Sequence, residues 1–136
     1  MNFLTATITA AAAGVIGPQQ LSLNAAPRNI TIQANFTYVA SAATSVDAYF
    51  QTSLDNGATW VDVAEFNFTT ASARKIANLS ALTPKTTLVT PTDGSLSANT
   101  CVDGVLGPLF RVKYTSVGTY GAGTTLAIDV ATDQVK

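Results

Sequence analysis

Every second residue from Ile30 to Tyr38 is apolar: Ile30, Ile32, Ala34, Phe36 and Tyr38 alternate with Thr31, Gln33, Asn35 and Thr37. A period of two places the first set on one side of an extended chain and the second on the other, which predicts a half-buried strand. The pattern recurs. Val46, Ala48 and Phe50 oppose Asp47, Tyr49 and Gln51; Phe110, Val112 and Tyr114 oppose Arg111 and Lys113; Leu126, Ile128 and Val130 oppose Ala127 and Asp129. Trp60, Val61, Val63 and Phe66 form a further apolar stretch. Between these runs stand Asn56-Gly57, Asp93-Gly94, Asp103-Gly104 and the glycines at 118, 121 and 123, residues suited to reversing a strand or accepting positive φ. Strands punctuated in this way predict an all-β fold: a single-domain antiparallel β-sandwich, jelly-roll or immunoglobulin-like, over residues 1–136.

Three segments depart from the alternation. TASARKIANL, residues 70–79, is the one stretch that reads equally well as a short helix. LTPKTTLVTPTDGSLSANT, residues 82–100, carries two prolines and many hydroxyls, which predicts a long excursion or an edge strand flanked by loop. The charge-free start, MNFLTATITAAAAGVIGP, lacks the positive residues of a signal peptide and holds no run of the 18 apolar residues that a membrane helix needs. Two readings of it stand: a first strand of the sandwich ending in a turn at Gly17-Pro18, or an N-terminal arm over residues 1–17 free to add to a neighbour.

Charge narrows the function classes. Charged residues make up 11% of the chain, against roughly 25% in an ordinary soluble protein. Their place is taken by 22 Ala and 21 Thr, giving a neutral surface suited to being covered by other protein. A net charge of −1 without a Lys/Arg run offers no footprint for nucleic acid. No histidine is present, and Cys101 is the sole cysteine, expected as a small buried thiol; disulfide, zinc and most acid–base chemistries lose their central residue. Glu65 is the single glutamate, and its distance of three from Asp62 predicts that the two carboxylates point to opposite faces of a strand. The expectation is therefore no enzyme, no cofactor and no metal. Four Asn-x-Ser/Thr tripeptides, starting at Asn29, Asn35, Asn67 and Asn78, are read as chance in a chain this rich in hydroxyls.

SLDNGATW, residues 53–60, resembles the Asp-box of sialidases and related β-propellers, where the motif caps a hairpin. Ser53, Asp55, Gly57, Thr59 and Trp60 carry the likeness. A single copy in a chain without internal repeats is read as a structural turn: Asp55 accepts bonds from its own backbone, Gly57 supplies unusual angles and Trp60 anchors the return strand.

FQTSLDNGATWVDVAEFNF and VLGPLFRVKYTSVGTYGAGTTLAIDVA, residues 50–68 and 105–131, resemble small virion proteins of tailed bacteriophages. Capsid decoration or cementing proteins are the nearest in kind within that group. The resemblance implies a jelly-roll or immunoglobulin-like domain on the capsid surface of a virion, bound as a dimer or trimer to adjacent copies of the major capsid protein, with neither nucleic acid nor membrane as partner. The residues expected to make contact are Phe3, Leu4, Ile8, Val15 and Ile16 of the N-terminal stretch and Leu88, Val89 and Leu96 of the 82–100 excursion. Two other roles fit a small β-sandwich: a carbohydrate- or cell-surface-binding domain, using Tyr49, Tyr114 and Tyr120, or a phage tail component.

Overall fold

The computed structural model describes residues 1–40 and 45–134, and every regular element among them is a strand. In chain order these are β1 (Asn2–Thr7), β2 (Ala12–Ser22), β3 (Asn29–Thr37), β4 (Ser45–Ser53), β5 (Val61–Phe68), β6 (Ala73–Ser80), β7 (Leu109–Val117) and β8 (Thr125–Thr132). They form two antiparallel sheets, ordered β1-β8-β3-β6 and β2-β7-β4-β5. Strands 1 and 8, 2 and 7, 3 and 6, and 4 and 5 pair as in one long hairpin. Rolling that hairpin adds the β3·β8 and β4·β7 pairs. This order is that of a jelly roll, which decides between the two sandwich forms expected.

The predicted alternation builds the core. Ile30, Ile32, Ala34 and Phe36 of β3, Val46, Ala48 and Phe50 of β4, Phe110 and Val112 of β7, and Leu126, Ile128 and Val130 of β8 are all buried. Aromatic pairs tie the layers together: Phe3 of the first sheet meets Phe50 of the second edge-on at 5.6 Å, and Phe36 stacks on Phe68 at 5.1 Å. Tyr120 closes one end, its ring edge-on to Phe36 and its hydroxyl donating to the Thr69 carbonyl at 2.8 Å.

Residues 70–79 include no helix; residues 73–80 are β6. The Ala, Arg and Lys side chains favour helix locally, but eight successive register pairs with β3 and burial of Ala77 and Leu79 outweigh that preference. At the start of the chain the arm reading is corrected. Residues 2–7 form β1 against β8, and Phe3, Leu4 and Ile8 are each 2% exposed, so their side chains are spent on the core and have no surface for a partner. Phe3 and Leu4 are both buried because the register slips between Asn2 and Leu4, a bulge that turns two neighbours inward. Gly17-Pro18 makes no turn between strands. It lies inside β2, in the irregular register between Ile16 and Gln20 on the sheet's edge, where a proline costs no ladder bond.

Phe3→Ala separates a core strand from a free arm. Denaturant unfolding is expected to show a loss of about 3 to 5 kcal/mol, the usual cost of emptying a phenylalanine site; an unanchored arm would lose less than about 0.5 kcal/mol.

Candidate partner-contact surface

The hairpin joining β4 to β5 folds around one side chain. Asp55 Oδ1 accepts the Thr59 amide at 2.8 Å and Oδ2 accepts the Thr59 hydroxyl at 2.6 Å, while the Gly57 amide donates to Ser53 Oγ at 2.8 Å. Asn56 and Gly57 take φ of 58° and 87°. The Thr59 bonds hold the Asp55 carboxyl below its ordinary value. Trp60 lies under the Arg111 guanidinium, 4.3 Å from the ring centroid, so the turn is joined to β7.

β5 then departs from simple alternation. Ala64 pairs with Phe50 but Asp62 with Gln51, leaving Val63 as the extra residue of a bulge. The bulge resets the parity: Asp62 opposite Gln51 and Glu65 opposite Tyr49 lie on the same outer face. The expectation that an odd spacing separates the two carboxylates is thereby corrected. Both are buried, at 1% and 3% exposure, because residues 92–102 lie across them. This segment extends the sheet beyond β5 through Asp62 N to Thr92 O, Glu65 N to Thr100 O and Val102 N to Val63 O, at 2.8, 2.9 and 2.9 Å.

Asp62 fastens the segment. Its Oδ1 accepts Gln51 Nε2 at 2.7 Å, and its Oδ2 accepts Thr92 Oγ1 at 2.8 Å and the amides of Gly94, Ser95 and Leu96 at 2.8, 3.0 and 3.2 Å. Gln51 passes the connection on, donating to Asp93 and accepting from Arg111 Nε, each at 2.7 Å. Burial alone would raise the Asp93 carboxyl, but the Gln51 amide, Lys113 and Arg111 hold it below its ordinary range. Further on, Asp103 accepts the Ser80 amide and the Thr83 hydroxyl at 2.6 and 3.0 Å. Gly104 is required beside it: a Cβ there would come within 2.2 Å of the Thr83 carbonyl oxygen.

Glu65 is less well satisfied. Its Oε2 accepts the Asn99 amide, and Oε1 is buried without a partner among the described residues. Burial pushes its carboxyl up to about 7, helped by Asp47 and opposed by the Asn99 amide and Lys75. Lys75 donates to the Asn67 carbonyl and, at 2.7 Å, to Asn99 Oδ1.

No protein-family model matches this chain, and no curated protein or solved structure is significantly similar to it.

The anchored excursion leaves apolar side chains outside. Leu88 is 98% exposed, Leu82 72% and Leu54 64%. A groove of about 520 Å³ runs between Leu54, Val61, Leu88, Val89, Pro91 and Leu106. Of the expected contact residues, Leu88 and Val89 thus meet at one groove, and Leu96 is half-buried beside its Asp62-bound amide. Val15 and Ile16 are exposed on β2, at the opposite edge of the sheet from β5. Leu54 was missed by sequence reasoning, although an apolar residue between Ser53 and Asp55 of a polar turn is a signal of its own. Cys101 is exposed, a correction to the buried thiol expected, because its backbone bridges to Ala64 at the outermost edge of the sheet. The three tyrosines do not converge: Tyr49 is on the outer face, Tyr114 packs against the core and Tyr120 is within it. Among the described residues no three His, Cys, Asp or Glu side chains gather where a metal ion could be held.

The Glu65 carboxyl sets a pH dependence. Its folded value near 7 lies above the ordinary 4.5, so the folded chain keeps a proton that the unfolded chain releases. That contribution is fully present below about 4.5 and is lost as pH rises through 7. The melting temperature is expected to fall between pH 5 and pH 8, and Glu65→Gln to remove most of that fall; an equal fall in the variant would contradict the assignment.

Proposed function

We propose that the protein is a structural virion component that decorates or cements the capsid shell by binding adjacent major capsid subunits. The observation that carries this reading is the leucine-flanked groove at Leu54, Leu88 and Val89, set on an excursion that three carboxylates fasten to the sandwich. A side chain 98% exposed costs solvation until something covers it, and the stretch that carries it is pinned on both sides, at Thr83 and at Thr92, which limits the entropy lost when that happens. The likeness of residues 50–68 and 105–131 to small phage virion proteins supplies the identity of the cover.

The mechanism is adhesion. A ligand that binds assembled subunits and not separated ones stabilises the assembly by its binding free energy, repeated at each copy. Bridging two subunits turns the second contact into an intramolecular one and multiplies the effect. An interface of about 800 Å² per partner suffices. The carbohydrate-binding alternative draws no support from the scattered tyrosines, and a tail component would differ in copy number.

Purified protein mixed with shells that lack it is expected to co-sediment with them, in a simple ratio to the major capsid protein. Leu88→Asp is expected to weaken this at least tenfold with the melting temperature unchanged. No binding to shells, or a handful of copies in intact particles, would overturn the proposal.

A further inference from the structure

The outer face of the β1-β8-β3-β6 sheet is uncovered, in contrast to the other sheet, where residues 92–102 lie over the β5 side. Its side chains are chiefly Thr, Asn, Gln and Ala. Two charges stand among them, Arg74 on β6 and Asp129 on β8, with the chain's amino group at the rim bound to the Val130 carbonyl at 3.0 Å. Arg74 has no partner among the described residues. Asp129 Oδ1 accepts Asn2 Nδ2 at 3.1 Å, which leaves Oδ2 open. The two cannot serve each other: Arg74 faces Asn35 and Asp129 faces Gln33 across β3, so strand spacing and rise place them on the order of 12 Å apart. Ile76, 64% exposed, and Asp129 themselves form part of the wall of a hollow of about 250 Å³ that Thr31, Gln33 and Ala131 complete.

We propose that this face is an isologous dimer interface, and that its occupant is a second copy of the same chain. In a two-fold contact, residue i of one copy meets j of the other and j meets i. One charge of each sign, too far apart to pair within the chain, fits that arrangement. A two-fold axis lying in the plane of the face and crossing β3 between Gln33 and Asn35 sets Arg74 of each copy over Asp129 of the other. The same rotation brings the second copy's Ile76 over the hollow beside Thr31 and Gln33 that Ile76 of the first copy borders, so the two exposed isoleucines cover one another at the axis. Two symmetric ion pairs around a neutral centre also select the register, since any other places Arg74 on a polar uncharged surface. The face is four strands wide, roughly 19 Å, at the small end for a stable interface, so self-association belongs in the micromolar range. This inference does not rest on shell binding, and it is tested without shells.

Sedimentation equilibrium over a concentration series is expected to show a monomer–dimer equilibrium for the unaltered protein. Arg74→Asp and Asp129→Arg each bring like charges together and are expected to raise the dissociation constant at least tenfold. Mixed in equal amounts, the two variants are expected to dimerise with each other, because both ion pairs are restored with reversed sign. Ile76→Lys, at an exposed position where folding is undisturbed, is expected to give a monomer. A monomeric unaltered protein at high micromolar concentration, single variants that still dimerise, or a mixture that stays monomeric would each overturn the proposal.

Discussion

The Asp62 carboxylate is the anchor on which the outer surface depends. A carboxylate at 1% exposure beneath a covering segment is costly unless its oxygens are filled, and here two side chains and three successive amides fill them. The amides of Gly94, Ser95 and Leu96 converge on one oxygen as a nest, with Gly94 at φ 84° supplying the left-handed turn that a nest requires. The connection between β6 and β7, residues 81–108, has no regular strand or helix, and a stretch of that length would ordinarily move. This one is fixed at Asp62, Glu65 and Asp103, which pins the chain on both sides of Leu88.

Charge is used sparingly, and much of it is tied into two networks. Asp62, Asp93, Arg111 and Lys113 form one continuous network with Gln51, and Trp60 under Arg111 joins the Asp55 turn to it. Glu65, Asp47 and Lys75 form another around Asn67 and Asn99. Arg74 and Asp129 stand outside both networks, as the two charges on the outer face of the β1-β8-β3-β6 sheet.

The sandwich was legible wherever alternation was regular, because period two is itself the geometry of a half-buried strand. Three features were hidden for a common physical reason, that register belongs to pairs of strands and not to one. The bulge at Val63 reverses the side on which Glu65 lies, the slip after Asn2 buries Phe3 and Leu4 together, and β3 holds residues 73–80 extended against their helical preference. The candidate surface was half legible. Proline and hydroxyl content singled out residues 82–100 and with them Leu88 and Val89, whereas Leu54 entered only when the hairpin folded it beside them.

Hydrogen exchange of the loop amides, read residue by residue, tests the anchoring most directly. If Asp62 holds residues 94–96 to the sheet, the Gly94, Ser95 and Leu96 amides exchange at least about 100-fold more slowly than in an unstructured peptide. In Asp62→Ala they return to near the unstructured rate while β3 and β8 stay protected. Unprotected amides in the unaltered chain, or protection that survives loss of the carboxylate, would contradict the claim that this side chain fastens residues 94–96 to the sheet.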